Sequence, residues 1–143
     1  MSNSHSRIAY AFEQSPGTVS PEPPQQDRVQ VEEIRTRGGL HITLAAVVDG
    51  DGHRKADEAA EMVIEQLFSG ISRSVDRHLN AVLRDQLQEG AQSLFKANKS
   101  GEGIGEVGVT VVAIHRGRLF FAHSGHTMAV LVREGETTQL TRP

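Results

Sequence analysis

At 143 residues and a formal charge of −3, the chain is sized for one domain or part of a larger one, and it lacks the basic excess that marks a nucleic-acid binder. It contains no cysteine, which excludes disulfides and thiolate metal sites and fits a cytoplasmic protein. No apolar run reaches membrane-spanning length and no apolar signal segment opens the chain, so neither a membrane partner nor export is expected.

Residues 1–26 are rich in Ser, Pro and Gln, with Pro21, Pro23 and Pro24 close together, and read as a flexible leader; its one apolar patch, Ile8 to Phe12, is read as part of a loose tail, with docking on the domain as the alternative. The folded domain is expected over 27–143. From Arg28 to Thr36, Val29 and Val31 alternate with polar neighbours, and Ile34 then falls out of phase, as at a bulge. Gly38-Gly39 makes a turn. Leu40 to Val48 is nearly continuous in apolar and β-branched residues and reads as a central strand, paired with the first as a hairpin.

A helix follows from Lys55 to Ser69, with Ala56, Ala59, Ala60, Val63, Ile64 and Leu67 on one face and Gly70 as its stop. A second helix is expected from Ser72 to Ala97, its stripe running from Val75 through Leu83 to Phe95 and weakened at Gly90. Arg73, Arg77 and Arg84 read as a solvated face. Lys99 to Gly108 is a Gly-rich loop, but no Lys-Ser/Thr follows and a strand comes next, which argues against a phosphate cradle. Val109 to His115, Arg118 to Ser124 and Thr127 to Arg133 form a three-stranded meander with turns at Arg116-Gly117 and Glu134-Gly135. Thr138 to Thr141 opens another strand with no partner after it, as in the front part of a longer domain.

Chemistry concentrates at Asp49-Gly50-Asp51-Gly52, between the central strand and the first helix. Two readings stand. The acids cap a turn, or they present carboxylates at a sheet edge to a hard cation that wants oxygen ligands. His123 and His126 flank a later turn, with His53 in the acidic one. Imidazole and carboxylate together suit Zn²⁺ or Fe²⁺; alternatively, His123 is a strand residue and His126 a turn residue.

Two segments resemble the protein phosphatase 2C-like, metal-dependent Ser/Thr phosphatases. The family pattern Ala-Asp-Gly-Met-Gly-Gly-His, followed by Gly-Glu and small residues, aligns without a gap on residues 48–60. Asp49, Gly50, Gly52, Glu58 and Ala60 match, and Asp51 stands at the Met. The second segment, RGRLFFAHSGHTMAVLVREGETTQLT from Arg116 to Thr141, keeps Gly117, Leu119, Ala122, Gly125, Arg133 and Gln139 among others. Gly103 and Gly105 resemble the family's Gly-x-Gly-Thr-Thr at a different spacing. The resemblance implies an α+β fold, part of an α-β-β-α sandwich of antiparallel sheets flanked by antiparallel helix pairs. It also implies Mn²⁺ or Mg²⁺ between the sheets, a phosphoprotein substrate, Asp49 as a metal-bridging carboxylate and Gly50 as a carbonyl ligand.

The departures point the other way. The family's Asn-Glu-Asp or Asn-Gln-Asp box between its first two strands finds only a Gly-Gly turn at Arg37 to Leu40, and a metal-binding Asp of the second segment is His126 here. Asp49, with Asp51 and His126 beside it in the pattern, is then what remains of a site that needs about four carboxylates. The expected function is a phosphatase 2C-like domain inactive as this isolated chain. The alternative is a degenerate pseudo-phosphatase module serving protein binding or regulation. A half-sandwich leaves an apolar sheet face uncovered, so self-association or packing on another protein is expected.

Overall fold

The computed structural model describes residues 8–15, 25–101 and 103–142. The runs on either side of Gly38-Gly39 pair as expected. β1 (Arg28–Arg35) and β2 (His41–Asp51) are antiparallel in unbroken register, from Arg28 opposite Val48 to Arg35 opposite His41. The turn closes through Thr36, whose N–H donates to the Leu40 carbonyl and whose hydroxyl accepts from the Leu40 N–H. There is no bulge at Ile34. It pairs with Ile42 on the helix-covered face, while Val29 and Val31 pair with Val47 and Ala45 on the other. Both faces of this sheet carry apolar residues, so a one-face alternation misreads the phase.

α1 (Ala56–Arg73) and α2 (Leu79–Lys99) cover the face of the sheet that carries Ile42, Leu44, Ala46 and Val48. The largest fully buried side chains, among them Leu44, Leu67, Ile71 and Leu83, sit in this layer, each worth roughly 1.5–3 kcal/mol of burial. α1 runs through Gly70 rather than ending there. A Cβ at Gly70 would lie 1.8 Å from Gln86 Oε1, so this glycine marks where α2 crosses close to α1. Residues 74–78 stay non-helical, and α2 starts later than the stripe suggests. The Asp76 carboxylate accepts from the His78 N–H and closes that turn, and Val75 is 68% exposed rather than part of the stripe.

Gly90 is buried in α2, but a Cβ there would meet only Val63 Cγ1, at 3.9 Å. Gly90→Ala is therefore expected to stabilise the chain by about 0.5–1 kcal/mol through helix propensity alone. The check is the urea midpoint at constant m-value; a lower midpoint would mean that the added methyl does not fit between the helices.

β3 (Glu106–His115) and β4 (Arg118–Ser124) complete a four-stranded antiparallel sheet in the order β1-β2-β3-β4. β5 (Val130–Arg133) and β6 (Glu136–Gln139) form a separate two-stranded sheet. The meander thus breaks after β4, and the last strand pairs back on β5 through the expected Glu134-Gly135 turn. Arg116-Gly117 and Glu134-Gly135 have positive φ at both positions, as type I′ hairpin turns require. The result is the expected α+β architecture.

The sheet's second face is open to a different neighbour. Val29, Val31, Ala45, Val47 and Val112 line a groove of about 600 Å³ whose other wall includes Ile8 to Ser15 and Met128. Gln14 Nε2 donates to the Asp27 carbonyl, tying that segment to the start of β1. The remainder of the expected leader falls largely outside the described residues. No helix among the described residues is long and apolar enough to cross a membrane.

Candidate functional site

The β1–β2 register decides which side chains meet at the end of this open face. Arg28 lies opposite Val48, so the preceding residue, Asp27, comes opposite Asp49. Alternation turns both acids to the same side of the sheet as Val29 and Val47. The Asp27 carboxyl lies within hydrogen-bonding reach of Asp49. Burial, and then the hydrogen bond and charge of Asp49, push the Asp27 pKa above its ordinary value, with the Arg28 charge pulling the other way. Two carboxylates so placed are best satisfied by a shared proton or a cation.

The Asp27 turn is anchored from two sides. Arg28 Nη1 donates to the carbonyls of Gln25 and Asp27, both at 2.8 Å, while its Nε pairs with Glu61 on α1 at 2.5 Å. Gln26 Nε2 donates to the His53 carbonyl at 3.1 Å, joining this turn to the loop between β2 and α1. Gly50 sits where the pieces converge. A Cβ there would fall 2.4 Å from the Ala56 carbonyl oxygen and 2.7 Å from that of Gln26. On the other side of β2, Gly108 is the register partner of Asp49, and the Gly125-His126 turn packs directly over it.

The other sequence-predicted residues are placed as follows. Asp51 is exposed, faces Glu106 across the strands, and accepts from the Gly52 N–H at 2.7 Å, so it closes its own turn. His53 accepts the Lys55 N–H on Nδ1 and forms part of the entry to α1. His126 is exposed at the rim above Gly108. His123 is held as a strand residue, one ring nitrogen on Thr110 Oγ1 at 3.1 Å and the other on the Arg142 carbonyl at 3.2 Å. The loop at Gly103 and Gly105 is clamped by Asn98, which bonds the N–H groups of Ile104 and Gly105 and the Gly105 carbonyl. Among the described residues, no group of three or more His, Cys, Asp or Glu is arranged to hold a metal ion.

Asp49 is therefore not alone at this end of the sheet, because a second carboxylate faces it. Its neighbour is Asp27, the last residue of the run Gln25-Gln26-Asp27. Asp27 lies one residue before β1 and 22 residues before Asp49, so only the hairpin register brings the two together. The Gly-Gly turn at Arg37 to Leu40 lies beyond the Arg35–His41 end of the hairpin, at the opposite end of the strands from Asp49.

Comparison with known proteins bears out the resemblance. The family model for Protein phosphatase 2C matches residues 25–143. No curated protein matches the chain. Among solved structures, the S. agalactiae serine/threonine phosphatase is similar at 25% identity and a TM-score of 0.62, covering 90% of this chain and 53% of that one. The catalytic domain of the serine/threonine protein phosphatase PstP in complex with two manganese ions is similar at 23% identity and a TM-score of 0.57, covering 80% and 54%. The Mycobacterium tuberculosis phosphatase PstP/Ppp gives 23% identity and 0.58, covering 81% and 53%. The last two speak to the fold. This chain spans about half the length of each of these structures.

Proposed function

This chain belongs to the protein phosphatase 2C family, and from that premise we propose that Asp27 and Asp49 are two carboxylates of the divalent-cation site of a metal-dependent serine/threonine phosphatase domain. The observation that carries the reading is their juxtaposition at the end of the open sheet face. The donor set is oxygen only and anionic, which fits Mn²⁺ or Mg²⁺. Gly50 adds a backbone carbonyl by resemblance. A bound cation would polarise a phosphoryl oxygen and make water acidic enough to attack a phosphoserine or phosphothreonine of a protein substrate. The chain's own part is to hold both carboxylates together against their repulsion, through the Gln26 and Arg28 anchors.

Two carboxylates do not complete a two-metal site, so the isolated chain is expected to bind a cation while turning over little phosphopeptide. One observation favours a second reading, a phosphatase-like module used for protein binding: His126 stands where the family places an Asp. A cytoplasmic setting, and a second chain packed on the open apolar face, belong to either reading.

Calorimetric titration of Mn²⁺ into the chain, Asp27→Asn and Asp49→Asn tests the proposal. Binding by the parent that weakens at least about tenfold in both variants is expected. Equal binding by all three would remove these carboxylates from the site. Mn²⁺-dependent phosphopeptide hydrolysis, abolished by Asp49→Asn, would show that the isolated chain is a working enzyme and overturn the expected inactivity.

A further inference from the structure

The sheet ends in opposite charges. At the end away from Asp27 and Asp49, three segments come together. The Arg37 and Gly38 N–H groups donate to the carbonyls of Ser72 and Ser74, fastening the β1–β2 turn to the connection between the helices. His115 Nδ1 reaches the His41 carbonyl, fastening the β3–β4 turn beside them. These segments carry Arg35, Arg37, Arg73, Arg77, Arg116 and Arg118, all exposed. None of these guanidiniums is in an ion pair among the described residues. The one acid within the segments, Asp76, is bound by the backbone N–H and ring of His78, and those bonds hold its pKa below the ordinary value.

We propose that this arginine pole is a docking surface for a short acidic segment of the phosphoprotein substrate. Three observations select that partner. The cations are arginines, although the chain also has lysines, and guanidinium forks bind carboxylates two-pronged where an ammonium binds as a point charge. The surface is preorganised: a Cβ at Gly38 would lie 2.5 Å from the Val75 carbonyl oxygen, so the two loops meet with no room between them. The chain as a whole is negative, at −3, so its remaining surface repels an extended polyanion, and a short acidic stretch confined to the pole avoids that repulsion. β2 separates His41 from Asp49 by about 26 Å at ~3.3 Å per residue. An acidic segment some eight or more extended residues from the phosphoresidue would span that distance. The substrate role rests on the phosphatase reading; acidic-peptide binding itself does not.

The test is fluorescence anisotropy of a labelled, unphosphorylated octapeptide of alternating Glu and Asp against the metal-free chain at about 50 mM salt, within a Debye length of roughly 14 Å. Binding is expected to weaken about tenfold in Arg37→Glu/Arg116→Glu/Arg118→Glu, and to stay unchanged in Arg84→Glu on the outer face of α2. The single variant Arg116→Glu, in an exposed turn, serves if the triple variant does not fold, with a two- to threefold loss expected. No binding by the parent, an equal loss in Arg84→Glu, or tighter binding to phosphatidylserine vesicles or a single-stranded DNA octamer than to the peptide would each overturn the proposal. Because metal is absent, peptide binding without Mn²⁺ binding in the separate titration would uphold the docking surface and sink the phosphatase reading, and the converse would do the reverse.

Discussion

Gly50→Ala is expected to lower stability by about 3 kcal/mol or more and to abolish cation binding together with it. The buried Cβ would sit 2.4 Å from the Ala56 carbonyl oxygen and 2.7 Å from that of Gln26. Both obstacles are backbone, so no side chain can swing aside, and the cost lies at or beyond the upper end of ordinary overpacking, about 1–3 kcal/mol. Relief requires either the start of α1 or the Gln26 turn to move. The second of these carries Asp27, one residue on, and withdraws it from Asp49. In a chain of this size the melting temperature should fall by roughly 6–12 °C. Gly52→Ala is the matched control. It faces open space at φ 77, so it costs only the left-handed backbone penalty of about 1–2 kcal/mol and should leave cation binding intact. Thermal unfolding and Mn²⁺ titration of both variants decide the matter. A Gly50→Ala chain as stable as its parent would show that the crowded junction is not as described.

What was legible in the sequence was local. The apolar run from Leu40 to Val48 and the stripe from Ala56 to Leu67 each declare their element within a few residues, and both elements form, each running a few residues further than read. Asp49 was legible because its motif is contiguous in the sequence, although the structure carries it as the end of β2, through Asp51, and not as a turn. Asp27 was not, because its importance comes from pairing across a hairpin, and only the register of Arg28 with Val48 reveals it. The same lack of long-range information hid the break after β4. Alternation continues through Thr127 to Arg133, but the Gly125-His126 turn packs over Gly108 and takes the chain off the sheet. Gly70 misled for a related reason. A glycine late in a helical stripe reads as a stop, whereas here it admits Gln86 from a neighbouring helix, which no local pattern announces. The arginines at 73 and 77 read as a solvated face along one helix; the fold puts Arg73 at the end of α1 and Arg77 in the connection after it, and sets Arg37 beside them.

Asp27→Asn should reverse the usual sign of a mutation and stabilise the metal-free chain at neutral pH. The Asp27 pKa is raised in the folded chain by burial and by Asp49, from an ordinary value of 3.8. Between that value and the raised one, the folded chain holds a proton that the unfolded chain releases. Stability therefore falls as pH rises through the window, and above it the full cost of two facing carboxylates is present. Below the ordinary value both states are protonated, and the contribution vanishes. Asparagine removes the charge and can still donate to Asp49. Like charges opposite one another across strands cost about 0.5–1 kcal/mol, so the variant should melt roughly 1–4 °C above its parent at pH 7–8 and level with it near pH 3. Saturating Mn²⁺ should invert the order at pH 7, because the cation stabilises only the chain that binds it in the folded state. Melting curves from pH 3 to 8, with and without Mn²⁺, contain the whole test. Parallel curves for parent and variant, unmoved by Mn²⁺, would mean that the two acids neither repel nor share a cation, and the carboxylate pair would lose its claim to be the centre of the site.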